Sequence, residues 1–177
     1  PLAERVRIAR EYGADLLISL HCNGNRKKHL RGTSVYCLSL KGASDVAARL
    51  LANQENASDL LGGTDPQATA TGPLGSILVD LAQTRTINNS LRLGGTALSE
   101  LKQLNALQFK TPKQAGFAVL RAPDFPSVLV ECAYLTNPEE ELRLRRAEFQ
   151  DQLAQALAKS AKSFFLLLAV QEKEPVL

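Results

Sequence analysis

Two side chains that could bind a metal ion or move a proton follow apolar segments lying far apart in the sequence. His21 follows the apolar run 16–20, and Glu131 follows the run 127–130. Both runs are short and rich in branched apolar residues, which predicts buried strands. A carboxylate at the end of a buried strand is costly unless something there needs it. The pair therefore predicts a metal site or a general base.

The remaining elements indicate how these two side chains are positioned. Strands alternate with helices along the chain, which predicts an α/β fold with a mainly parallel central sheet and helices on both faces. Functional groups in such sheets gather beyond the carboxyl ends of the strands, so we expect His21 and Glu131 at one edge. The predicted strands are 16–20, 33–38, 116–120 and 127–131, and the predicted helices are 2–12, 44–55, 75–107 with a kink at 94–95, 139–145 and 146–168.

Composition places the chain among ordinary globular proteins. Its 177 residues are 45% hydrophobic with a net charge of +3, which predicts one domain over 1–170 and a frayed tail over 171–177. The charge permits an anionic partner, but we expect no nucleic acid. No apolar run reaches the roughly 18 residues of a membrane span. No signal peptide opens the chain, whose first residues resemble the middle of a helix, so we expect it to begin inside a domain.

Cysteine usage argues against a disulfide framework. The chain has three cysteines, Cys22, Cys37 and Cys132, an odd count without close pairing. We therefore expect three small buried apolar side chains.

Seven short motifs, taken in order, resemble those of the zinc-dependent N-acetylmuramoyl-L-alanine amidases of the AmiC-like (amidase 3) type. The resemblance implies an α/β domain with a twisted central sheet, whose first strand is missing from this chain. It also implies cleavage of the amide between N-acetylmuramic acid and the first L-alanine of the peptidoglycan stem peptide. The motifs are Leu17–Asn23, Gly32–Tyr36, Glu55–Asp59, Val79–Gln83, Gln114–Leu120, Pro126–Glu131 and Asn137–Glu140.

The resemblance also implies roles for single residues. The family holds zinc with a histidine, a glutamate and a second histidine, and His21 matches the second histidine. Glu131 matches the catalytic glutamate, the general base. Asn23 has its predicted role from its position alone, since it lies two residues past His21 at the strand exit, where it could orient substrate or the ligand. The other two zinc ligands are not in this sequence and are expected upstream of Pro1. One histidine is too few ligands for tight zinc, so this chain alone is expected to be inactive.

Further expectations concern partners and regulation. Peptidoglycan is the implied substrate, a LytM-type protein the implied activator, and the periplasm or cell surface the implied location, with a role in cell separation. Some family members carry a helix near the position of Gly62–Pro73 whose glutamate plugs the zinc. That stretch has Asp65 but no glutamate, so we expect no such plug.

Other interpretations remain open. Without the resemblance, His21 is interpreted as a core histidine whose ring nitrogens are hydrogen-bonded. Glu131 is then a salt-bridged or helix-capping carboxylate, and Asn23 is a turn residue. The missing ligands allow a metal-free wall-binding or partner-binding module of the same fold. A cysteine hydrolase built on Cys22 with His29 is the third alternative, although Cys22 should face away from His21. The cations Arg26, Lys27, Lys28 and Arg31 form a solvated face or contact anionic wall polymer or peptide carboxylates.

Overall fold

The computed structural model describes residues 1–57 and 73–171, without the side chains of 73–80. The predicted loop around Asp65 and nearly all of the predicted tail lie outside the described residues. The helices are α1 (Leu2–Glu11), α2 (Val46–Asn56), α3 (Pro73–Leu101), α4 (Pro138–Leu144) and α5 (Ala147–Gln171), and the strands are β1 (Leu17–Asn23), β2 (Ser34–Leu38), β3 (Lys113–Ala115) and β4 (Ser127–Tyr134).

The four strands form one sheet in the order β1-β4-β2-β3. β2 and β3 pair in parallel, with Cys37 opposite Gln114. β1 and β4 also run parallel, because Leu17 N donates to Pro126 O at 2.9 Å at their start and Leu135 N donates to Asn23 O at 2.8 Å at their end. The predicted α/β class is confirmed, and the strands of the pairs β2–β3 and β1–β4 run parallel.

Capping chemistry explains where two of the helices begin. Asp45 precedes α2 and accepts a hydrogen bond from Ala48 N at 2.8 Å. Asn137 precedes α4 and accepts from Glu139 N and Glu140 N, with Pro138 in the first turn. These side chains satisfy backbone donors that have no partner within the helix. The sequence predicts Asn137 as the capping residue and Pro138 at the first helical position, and the structure confirms both.

The described residues divide into two compact units. The first comprises 1–19, 36–91 and 113–129, and the second comprises 20–35, 92–112 and 130–177, of which 172–177 are not described. In the first unit Val6, Ala122 and Phe125 form a small apolar cluster against which Ala9 and Leu17 pack. The rings of Tyr36 and Phe117 pack at a centroid distance of 5.4 Å.

The second unit contains α4, α5, the end of α3 and the segments 24–35 and 104–109. Thr33 N donates to Ala106 O at 2.8 Å and Gln108 N donates to Thr33 O at 2.9 Å. Gly32 precedes this pairing with φ +107, and a Cβ there would lie 2.8 Å from Ala106 O. Only glycine fits this backbone without strain.

Three details of the predicted elements are wrong. Residues 116–120 are not a strand, since β3 ends at Ala115 and a 3-10 helix covers Ala118–Leu120. In α2 the sequence predicts an apolar side of Val46, Leu50 and Leu51, but Val46 and Leu50 are exposed. The buried residues are Ala48, Leu51 and Ala52. α3 ends at Leu101 and not at residue 107, while the kink at 94–95 stays a prediction.

By length and composition, α5 could cross a membrane. Its Phe149, Leu153, Leu157 and Phe164 are buried, while Phe165, Leu166, Leu167 and Val170 are exposed. A core helix of a globular protein can be equally long and apolar. One helix of this kind is weak evidence, so the absence of a membrane span stays a prediction.

Candidate metal centre

His21 lies inside β1, two residues before its end, and not at the strand terminus that the sequence predicted. Side chains alternate across a strand, so His21 and Asn23 share one face while Leu20 and Cys22 share the other. Exposure follows this alternation, because Leu20 and Cys22 are exposed and the other two are half-buried. His21 and Asn23 therefore point the same way, as a shared role in binding requires.

Glu131 lies in the middle of β4, whose eight residues are all buried. The predicted strand ended at this glutamate, but β4 continues for three more residues to Tyr134. The side chain of Glu131 is 0% exposed. A carboxylate removed this completely from water is costly unless positive charge or hydrogen-bond donors compensate it.

His21 and Glu131 belong to the same unit and come close together. An imidazole nitrogen and a carboxylate oxygen lie within 4.8 Å of each other. A neutral imidazole and a carboxylate are ligands that zinc takes in proteins, so this pair fits that metal.

The negative charge of Glu131 affects nearby titratable groups of the same unit. Burial, and then this charge, raise the pKa of the Cys22 thiol. Burial raises the pKa of Cys132 to about 12, with the charges of Cys22 and Glu131 adding to it. Burial also raises the pKa of Tyr134, again with a contribution from Glu131.

These thiols also bear on the cysteine predictions. All three cysteines are free. Cys37 and Cys132 are buried as expected, but Cys22 is exposed, which corrects that expectation. Its raised pKa leaves little thiolate at neutral pH, and it lies on the strand face opposite His21. Both observations argue against a nucleophilic Cys22.

A second buried carboxylate, Glu140 of α4, joins three segments of the second unit. It accepts hydrogen bonds from Gly32 N at 2.8 Å, from Tyr134 N at 2.7 Å and from Asn105 Nδ2 at 2.9 Å. Arg143 extends the cluster, donating to Leu104 O at 2.6 Å. These bonds fix the end of β4 three residues beyond Glu131.

A groove of about 570 Å³ lies on the other strand face of the same unit. Its lining is mainly apolar and includes Leu20, Cys22, Cys132 and Leu135, together with residues of α4 and α5. His21 borders the groove, but Glu131 and Asn23 do not line it. The groove therefore shares His21 with the candidate centre, but neither Glu131 nor Asn23.

Comparisons of the whole sequence with known proteins identify its relatives. The family model described as N-acetylmuramoyl-L-alanine amidase matches residues 1–163. The amidase AmiA of Salmonella typhimurium is 43% identical over 166 residues, covering 93% of this chain and 57% of the relative. AmiC of Escherichia coli O6:H1 is 41% identical over 165 residues, covering 93% of this chain and 39% of the relative. The chain thus spans about two fifths to three fifths of these relatives.

Solved structures show the same fold. The amidase AmiC2 of Nostoc punctiforme superposes with a TM-score of 0.59 at 21% identity, covering 94% of this chain and 66% of that one. The CwlD amidase from Clostridioides difficile, solved in complex with the GerS lipoprotein, superposes with a TM-score of 0.59 at 17% identity, covering 94% of this chain and 62% of that one. Taken with the family match, these findings show that the chain belongs to the N-acetylmuramoyl-L-alanine amidase family.

Proposed function

We propose that this chain belongs to the catalytic domain of a peptidoglycan amidase. The enzyme would hydrolyse the amide bond between N-acetylmuramic acid and the L-alanine of the stem peptide. Family membership supports the reaction class. The approach of His21 to Glu131 within 4.8 Å is the single structural observation that carries the proposal. It supports a metal ligand and a general base acting on one water molecule.

The proposed zinc would be held by His21 and by ligands expected upstream of Pro1. When bound, zinc polarises an amide carbonyl and lowers the pKa of a coordinated water towards about 7. His21 would offer a ring nitrogen lone pair, so it acts in its neutral form. Glu131 would accept the proton of the attacking water on a carboxylate oxygen and return it to the leaving nitrogen.

Burial gives Glu131 two advantages in this role. A carboxylate shielded from bulk water interacts more strongly with nearby positive charge than an exposed one. Its place within a fully buried strand also limits the positions that its oxygens can take, as general-base catalysis requires. Asn23, on the His21 face of β1, would orient the substrate through its side-chain amide.

The test uses the full-length parent protein with zinc and a muramyl peptide. Glu131→Gln should lower kcat by roughly 10²- to 10⁴-fold, since it removes a general base. Bound zinc should stay near the wild-type stoichiometry, because His21 and the upstream ligands remain. Glu141→Gln, a change of the same type on half-buried Glu141, should leave kcat unchanged. Retained activity in Glu131→Gln would remove this residue from the proposed role.

A metal-free binding module remains the second candidate. The observation in its favour is the histidine count, since the chain has only His21 and His29 and His29 lies in an exposed loop. Zinc analysis of the purified parent separates the two functions. A parent that binds peptidoglycan equally well with and without a chelator, and hydrolyses none of it, would be the binding module.

The proposed substrate implies a location and a partner. Peptidoglycan lies outside the cytoplasmic membrane, so we propose that the parent acts in the periplasm or at the cell surface during cell separation. We also propose control by a LytM-type activator. Adding such a protein to the purified parent should raise the hydrolysis rate, and an unchanged rate would remove it as the activator.

A further inference from the structure

One loop in the unit that holds His21 and Glu131 concentrates positive charge. Between Asp15 and Asp45 the sequence contains no acidic residue, yet four cations lie within residues 26–31. The whole chain has a net charge of only +3. We call residues 25–31 the basic loop. A local surplus of this kind attracts anionic groups.

The backbone of the basic loop is held in place by the segment that follows β4. Asn25 N donates to Thr136 Oγ1 at 3.0 Å, and Asn137 Nδ2 donates to Lys28 O at 3.1 Å. Within the loop, Lys27 N donates to Asn25 Oδ1 at 2.9 Å. A loop that is already ordered loses less conformational entropy when it binds a ligand.

Most of the charge on this loop is available to a partner. Arg31 forms an exposed ion pair with Glu139 at 3.4 Å. Arg26, Lys27 and Lys28 are exposed, and no ion pair engages them within residues 1–57 and 73–171. Three cations therefore face solvent on a backbone that is held at both ends.

The short sequence separation sets an upper limit on the distance from this loop to the candidate metal centre. Arg26 follows His21 by five residues, so their Cα atoms are separated by at most about 18 Å. A peptide of four or five residues extends about 13–18 Å. The far end of a stem peptide whose first amide lies at His21 and Glu131 can therefore reach the loop.

We propose that the basic loop binds carboxylate groups of an acidic stem peptide, and so selects substrates by charge at the end distant from the scissile amide. This inference rests on the proposed function. A stem peptide carries a carboxylate at its free end, and each acidic residue adds another. Lys27 and Lys28 would supply point charges, and Arg26 a guanidinium that can bind a carboxylate with two parallel hydrogen bonds.

The test compares two muramyl peptides that differ only in charge, one with free carboxylates and one with those carboxylates amidated. In the full-length parent, Lys27→Gln/Lys28→Gln should raise KM for the acidic peptide by roughly two- to tenfold, as expected for two exposed charge contacts. kcat, and both constants for the amidated peptide, should stay at wild-type values. The difference should shrink at high salt, because exposed charges are screened.

The matched control is Lys41→Gln/Arg49→Gln, which removes the same charge from exposed positions of the other unit. It should leave KM for both peptides unchanged. An equal rise of KM for both peptides in the loop variant, or no rise for either, would overturn the proposal. So would a loop variant that loses affinity for an anionic glycerol phosphate polymer while keeping that for the acidic peptide.

Calorimetry with the same peptides separates this inference from the proposed function. A wild-type parent that cleaves neither peptide would count against the amidase. Its preference for binding the acidic peptide, and the loss of that preference in the loop variant, would still support the loop. Equal binding of the two peptides by the wild-type parent would refute the loop's role whether or not hydrolysis occurs.

Discussion

Glu140→Gln provides a sharp test of how the unit containing the candidate site is held together. The wild-type carboxylate is 3% exposed and accepts from Gly32 N, Tyr134 N and Asn105 Nδ2. A glutamine amide keeps one acceptor oxygen and turns the other position into a donor. At least one buried donor then loses its partner, which costs about 1–3 kcal/mol. The surviving bonds lose the benefit of the charge, so we expect a total loss of about 2–4 kcal/mol.

Urea unfolding of this chain measures the loss. The midpoint should fall without a change in slope, and the thermal midpoint should drop by roughly 5–15 °C for a protein of this size. Glu141→Gln is the control, because that residue forms an i,i+4 pair with exposed Arg145, and such pairs contribute about 0.5 kcal/mol or less. If Glu140→Gln and Glu141→Gln cost the same, the carboxylate does not join these segments as described.

Three further predictions can be tested on the same chain. Gly32→Ala should lower the free energy of unfolding by about 1–3 kcal/mol, because of the positive φ at this position and the approach of a backbone oxygen. The control is Gly24→Ala, where the atom nearest to the added Cβ would be 3.9 Å away. It should lower the free energy of unfolding much less in the same urea assay. Asp45→Ala should cost about 1 kcal/mol at pH 7. A backbone hydrogen bond lowers the pKa of the Asp45 carboxyl below its usual 3.8. The contribution of this carboxylate to the free energy of unfolding is therefore complete above about pH 4 and is lost as pH falls through the lowered pKa. Acid unfolding curves of the wild type and of Asp45→Ala should converge in that pH range. Cys22 should be the single cysteine that iodoacetamide labels in the native protein, slowly at pH 7 and faster above pH 9, as mass spectrometry would show; rapid labelling at neutral pH would contradict its raised pKa.

Elements with a local cause were predictable from the sequence. The start of α4 follows from an asparagine that caps the helix and a proline that suits its first turn. β2 and β4 follow from short apolar runs, because a strand buried on both faces needs little else. In each case the residues that form the structure are neighbours in the sequence.

Elements decided by distant contacts were not predictable. Residues 116–120 have the composition of a strand, but Asn56 accepts from Ala118 N and donates to Gly116 O, both at 2.8 Å. These bonds use backbone groups that a strand would need for its neighbour, and the chain turns into a 3-10 helix instead. The burial of α2 also depends on a distant partner, since alanines as well as Leu51 form its buried side.

The candidate site divides in the same way. His21 and Glu131 could be found because each is a polar residue beside an apolar run, which is unusual enough to need a reason. Their places inside β1 and β4 could not, because pairing with distant segments decides how far each strand continues. A site is visible in one sequence only where its residues conflict with their local surroundings.

The position of Glu131 within β4 strengthens the case for a functional carboxylate. A glutamate at a strand end can reach water, and it could then be kept for solubility or capping alone. With three further buried residues after it and no exposure of its own, Glu131 has no such escape, and its desolvation costs several kcal/mol unless it is compensated. An apolar residue at this position would suit the strand better on stability grounds alone. These observations support the role proposed for Glu131 beside His21, where a bound cation would offset the cost of burying the carboxylate.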